Sequence, residues 1–118
     1  MKYFLPLLLA FSGPMLADVP PEQKPEVEHL LNFVGNSACT IDRNGTTYPA
    51  EDAVSHIKKK YAYFKNDIDT TEDFIELSAT KSTMSGKFYM VRCGDDAQIK
   101  TREWLLQELG SYRKQGNN

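Results

Sequence analysis

The sequence is that of a single small α+β domain: about four helices packed on a short antiparallel sheet, a hairpin plus one strand, with one disulfide. Three observations lead to this class. Apolar residues recur at helical spacing in separate stretches that a small domain must pack against something. Asn44-Gly45, the strongest two-residue hairpin signal, lies between two short β-capable runs. Cys39 and Cys93, the only 2 cysteines, fall one before the hairpin and one at the end of a later β-prone run.

The elements follow in chain order. Val27, Leu30, Leu31 and Val34 hold the i, i+3, i+4, i+7 spacing of one helix face, with Pro25 suited to the first turn and Gly35-Asn36 as the stop. In the hairpin, Ile41 should face Tyr48, Arg43 should face Thr46, and Cys39 should share the face of Ile41. Pro49 opens the second helix, where Ala50, Ala53, Val54, Ile57, Tyr61 and Phe64 fall within a stripe roughly 100° wide. Lys58, Lys59 and Lys60 lie outside it and read as a solvated face. Thr70 followed by Asp73 is a carboxylate variant of the capping box, opening a third helix that runs to about Thr80. Residues 81–87 are polar, contain Gly86 and read as a loop. Residues 88–93 form a β-prone run with Tyr89, Val91 and Cys93 on one face, ended by Gly94. A last helix places Leu105, Leu109 and Tyr112 on one stripe, with Arg113 and Lys114 near its C-terminus. The domain is expected over 26–114, with a disordered tail at 115–118.

The first 17 residues stand apart. Lys2 gives a positive start, residues 3–11 are apolar apart from Pro6, and Ser12-Gly13-Pro14 then break the run before Ala17 and Asp18. That is the layout of a secretory signal peptide, although Met15 occupies the position three before the cut, where a small side chain is usual. The apolar run of 9 residues is too short for a membrane span, which needs about 20. Residues 18–25, with three prolines, read as a flexible leader.

Export decides how the cysteines are read. In an oxidising compartment two cysteines most simply make one disulfide, closing a loop of about 55 residues worth about 4 kcal/mol by chain-entropy arithmetic. A Cys-x-x-Cys redox motif is absent. The formal charge of −2 over 118 residues argues against a nucleic-acid partner, which selects a strongly basic surface.

Few residues suggest chemistry. His56 lies outside the apolar stripe with Asp52 and Lys60 one turn away on either side, so it could serve as a general base. The plainer reading is a boundary histidine paired with Asp52. His29 falls on the polar face of the first helix. Two histidines and two distant cysteines lack metal-ligand spacing, and no metal or cofactor is expected. Ser78-Ala79-Thr80-Lys81 matches Ser-x-x-Lys, the nucleophile signature of penicillin-binding proteins. The companion motifs are missing and the serine falls late in its helix, so catalysis there is rejected. Asn44-Gly45-Thr46 fits a glycosylation acceptor, but the tight turn explains it without sugar. Ser82, Thr83, Ser85 and Gly86, flanked by Lys81 and Lys87, form a hydroxyl-rich basic loop that could offer hydrogen bonds to an anion or a sugar.

Arg43-Asn44-Gly45 with Tyr48, then Ala53 to His56-Ile57 and Lys60, come in a distinctive order. Thr71-Glu72-x-Phe74-Ile75, Ser82-x-x-Ser85-Gly86 and Tyr89 complete it. In this order and spacing the chain resembles the YfeK-like family of small exported bacterial proteins, a domain of unknown function. The resemblance covers roughly residues 27–109. It implies a single small domain and a periplasmic or secreted bacterial location, and it brings no established activity or catalytic residue. Cys39 and Cys93 are a variable feature of that family, so the disulfide rests on the argument from export.

The residues Arg43, Asn44, His56, Lys60, Ser82 and Ser85 are accordingly the candidate binding surface. The hairpin turn, the flank of the second helix and the 82–86 loop would have to converge for this to hold. The expected role is a non-enzymatic binding or structural protein of the envelope, with an envelope protein or a cell-wall component as partner. Behind it stand an inhibitor or immunity protein against an envelope-acting toxin and, last, a small serine hydrolase using His56 with Ser82 or Ser85.

Overall fold

The computed structural model describes residues 21–116, with Glu22 described by its backbone alone. Residues 1–17, expected from the sequence to be a signal peptide, lie outside the described residues. Of the expected leader, Pro21–Gln23 form a 3-10 turn and Lys24 and Pro25 begin the first helix. The elements are α1 (Lys24–Asn36), β1 (Thr40–Arg43), β2 (Thr46–Pro49), α2 (Ala50–Phe64), α3 (Thr71–Ser78), β3 (Met90–Arg92), β4 (Ile99–Lys100) and α4 (Thr101–Gly116). The α+β class and the disulfide are as expected from the sequence.

The hairpin forms in the expected register, Ile41 opposite Tyr48 and Arg43 opposite Thr46. Asn44 at φ 55° and Gly45 at φ 86° give a turn with two left-handed residues, the kind whose twist matches the flanking strands. Asp42 fixes it by accepting from the Gly45 N–H at 2.9 Å. β1 also pairs antiparallel with β3, and the sheet runs β2-β1-β3-β4. The sheet thus has four strands where the sequence suggested three. Ile99 and Lys100 form a strand of two residues held only by pairing with Val91 and Met90, and nothing local marks them.

All four helices cover one face of the sheet. Ile41, Tyr89 and Val91 point into that face and are buried with Val27, Leu30 and Val34 of α1, Ile57 of α2, Phe74 and Ile75 of α3, and Leu105 and Leu109 of α4. The alternating residues Asp42, Met90 and Arg92 face the other, more open side. Cys39 and Cys93 bond to each other, one residue beyond the Thr40–Arg92 pair, with their Cα atoms 4.3 Å apart.

Helix ends show where local signals were modified by packing. Thr70 caps α3 by accepting from the Asp73 N–H at 3.0 Å, while the Asp73 carboxylate accepts from the Asp69 N–H at 3.1 Å. The return leg of the capping box therefore reaches one residue further back than usual. α1 continues through Gly35 and Asn36, and the left-handed residue that follows its C-cap, Ser37, is Ala38 at φ 59°. His29, expected at the surface, instead ties α1 to α4. Its Nε2 lies 2.7 Å from the Glu108 carboxylate, and its ring stacks on Tyr112 at 4.1 Å.

Candidate functional site

One end of the sheet's inner face is polar, and strand alternation explains why. Cys39, Ile41 and Arg43 share a face of β1, so the chain that buries Ile41 also carries Arg43 out past the end of the core. Continuing the β1–β3 register by one position sets Tyr89 opposite Arg43, just as Thr46 opposes it on the other side. Across this row lies α2, which packs on β1 and β2 and brings His56 and Lys60, one turn apart, over the same spot.

The third wall is the loop between α3 and β3. It is pinched by an isolated bridge between Lys81 and Phe88, and the Ser82 N–H donates to Lys87 O at 2.9 Å. Within it Gly86 takes φ 75°, its N–H donates to Ser82 O at 2.9 Å, and the Ser85 N–H donates to Ser82 Oγ at 3.2 Å. The loop is fastened to the hairpin turn by Ser85 Oγ–H, which donates to Asn44 Oδ1 at 2.6 Å.

Together these walls enclose an open depression of about 360 Å³ lined by residues that include Arg43, Asn44, His56, Lys60, Ser82 and Tyr89. Five of the six residues singled out from the sequence line it, and Ser85 holds its rim through Asn44. Tyr48, Thr46, Thr83 and Met84 complete the lining, and none of the lining residues is acidic. A second hollow of about 240 Å³ shares Arg43, Tyr48 and His56 and contains the Asp52 carboxylate.

The polar groups in the depression are fixed in unusual ways. Lys60 Nζ donates to Lys81 O at 2.7 Å and to the Tyr89 hydroxyl at 3.3 Å. The lysine expected on a solvated face is therefore turned inward, and burial followed by the nearby Arg43 charge pulls its pKa down. The Arg43 guanidinium lies 4.1 Å from the Tyr48 ring centroid. Its Nε is buried and has no hydrogen-bond partner among the described residues.

His56 Nε2 is 3.1 Å from the Tyr89 hydroxyl, with the rings edge to face at 5.6 Å. The partner is thus Tyr89 and not Asp52, because the ring turns toward the sheet. Burial, then the charges of Arg43, Lys60 and Lys59, push the imidazole down to about 4. Burial raises the Tyr89 phenol, offset in part by Arg43.

Tyr89 lines the depression although the sequence placed it only on a strand face and in the family pattern, outside the candidate surface. Its signal was available, since a tyrosine on a buried strand face needs a partner for its hydroxyl. Ser78, the serine of the Ser-x-x-Lys pattern, is fully buried at the end of α3 and faces the core. Among the described residues no group of three or more His, Cys, Asp or Glu could hold a metal ion.

Comparison with known proteins agrees in extent with the described domain. The model of a family described as "Family of unknown function (DUF5329)" matches residues 21–113. A protein of Salmonella typhimurium named Uncharacterized protein YfeK is 35% identical over 82 residues, which is 69% of this chain and 68% of the relative. No solved structure matches the chain.

Proposed function

The chain belongs to the DUF5329 family of unknown function, and from that premise we propose that it is an exported, non-enzymatic binding protein whose depression receives an anionic group. The observation that carries this reading is the convergence of Arg43, Lys60 and His56 on one volume lined by no carboxylate. Gathering the like charges of Arg43 and Lys60 costs free energy. Such an arrangement is retained where a ligand supplies the missing charge. Export draws support from the Cys39–Cys93 disulfide, which persists in oxidising compartments, and from the signal-peptide layout of residues 1–17. Among the described residues no helix is long and apolar enough to cross a membrane.

Hydrolysis finds no support in the hydroxyl geometry. Ser85 Oγ donates to Asn44 and Ser82 Oγ accepts from the Ser85 N–H, while His56 is engaged with Tyr89. A second reading, an inhibitor or immunity protein, is favoured by one feature. Met84 is 98% exposed at the lip of the depression, where a protein partner could cover it.

Amide mapping by NMR on the oxidised protein tests the main reading. Acetate, sulfate and inorganic phosphate are added in turn at constant ionic strength. Shifts confined to residues near 43–48, 56–60 and 82–89 are expected for at least one anion. No localised shift with any of them would overturn the reading.

A further inference from the structure

We infer that the group received by the depression is a phosphoryl group carried on a small polyol, held between Arg43 and Lys60. This rests on the reading of the depression as an anion site and narrows its ligand. Charge is the first argument. Arg43 and Lys60 bring two positive charges, and the lining residues contain no acid to balance them. A carboxylate offers one negative charge, whereas a phosphomonoester carries about −1.5 to −2 at neutral pH and three acceptor oxygens.

Direction is the second argument. A planar carboxylate is satisfied by the fork of a single guanidinium. Here donor-bearing residues line the volume from three separate elements: Arg43 from β1, Lys60 from α2, and Ser82 and Thr83 from the loop. Lys60 is held in place by Lys81 O and the Tyr89 hydroxyl, so two of its three N–H donors are spent and one is left to point elsewhere. Donors arrayed around a volume suit a tetrahedral group.

Size and lining indicate the carrier. About 360 Å³ lies near the lower end of the roughly 300–1,000 Å³ typical of small-molecule sites. Asn44, Thr46 and Thr83 in the lining supply amide and hydroxyl partners for a polyol. The phosphomonoester is shared by a free phosphorylated polyol and by the phosphatidate headgroup, and only the free ester keeps the polyol hydroxyls.

The test is a matched pair. Glycerol 3-phosphate and glycerate share a small polyol carrier and differ in the anionic group. Calorimetry with the oxidised protein at pH 7.5 should show glycerol 3-phosphate binding at least about tenfold more tightly. Arg43→Gln and, independently, Lys60→Met should each weaken it by about tenfold or more, with the thermal midpoint showing that each variant is folded. Co-sedimentation with phosphatidate vesicles, abolished by excess glycerol 3-phosphate, would assign the same site to a lipid headgroup. Binding to glycerol 3-phosphate without vesicle binding would assign it to a free ester.

Glycerate binding as tightly as glycerol 3-phosphate would overturn the phosphoryl inference and leave the anion site standing. Binding that survives both folded variants would overturn the placement between Arg43 and Lys60. No binding by either compound would overturn the inference, and if the simple anions also gave no localised shift, the anion site would fall with it.

Discussion

His56 sits where burial and the neighbouring cations favour the uncharged ring. The groups that face it are Arg43 from β1, Lys59 and Lys60 from its own helix, Tyr89 beside β3, and Asp52 and Tyr48 across the adjoining hollow. Its ordinary value is 6.5 and the fold holds it at about 4, so between those values the folded chain binds fewer protons than the unfolded one. Its contribution to stability is complete above about pH 6.5 and is lost as pH falls toward 4. His56→Gln is expected to remove that part of the acid sensitivity, on the order of 1 kcal/mol for a ring only part-buried, read from urea midpoints between pH 4 and 7. Arg43→Gln should move the His56 titration, followed by NMR, back toward its ordinary value. At this scale the sequence disclosed which polar residues mattered better than what they touch. Lys60 looked solvated because helical period alone does not show that Lys81 O lies within its reach. The Asp52 partner for His56 was inferred from one-turn spacing, which ignores a tyrosine arriving from a strand 33 residues later.

Among the elements, α1 ends on a strained residue. Ala38 follows the C-cap Ser37 at φ 59°, a region costing an L-residue about 1 kcal/mol and costing glycine little. Ala38 is exposed, so Ala38→Gly is expected to stabilise the protein by about 0.5–1 kcal/mol in chemical denaturation. The disulfide ties the chain just before β1 to the chain just after β3, at the end of the sheet away from the depression, because Cys39 precedes β1 and Arg43 ends it. Replacing both residues, Cys39→Ala with Cys93→Ala, should cost about 2–4 kcal/mol and lower the thermal midpoint by roughly 10 °C or more. An unchanged midpoint would show that strand pairing alone closes the loop. The hairpin register and the apolar face of α2 were legible because turn chemistry and periodicity are local. β4 was not, since Ile99 and Lys100 become a strand only through Met90 and Val91.

At the scale of the whole molecule, a two-layer domain leaves one end of the sheet uncovered by apolar side chains, and the polar depression occupies that end. Packing of α2 across β1 and β2 is what turns a strand-end arginine, a helical lysine and a loop of hydroxyls into one surface. That convergence could be suspected from the sequence, but its depth and its lack of acid depend on how the layers meet. Export belongs to this scale as well. The full chain expressed in a bacterium is expected in the periplasmic fraction, oxidised and beginning at Asp18, and full-length reduced protein in the cytoplasm would contradict it. The anion site is tested most directly by the titration of His56 with and without saturating sulfate, a tetrahedral dianion that does not itself titrate in this range, against chloride at equal ionic strength. With sulfate seated beside the ring, the value is expected to rise from about 4 by about one unit or more. A His56 titration identical in sulfate and in chloride would contradict a site that holds a tetrahedral dianion beside the ring.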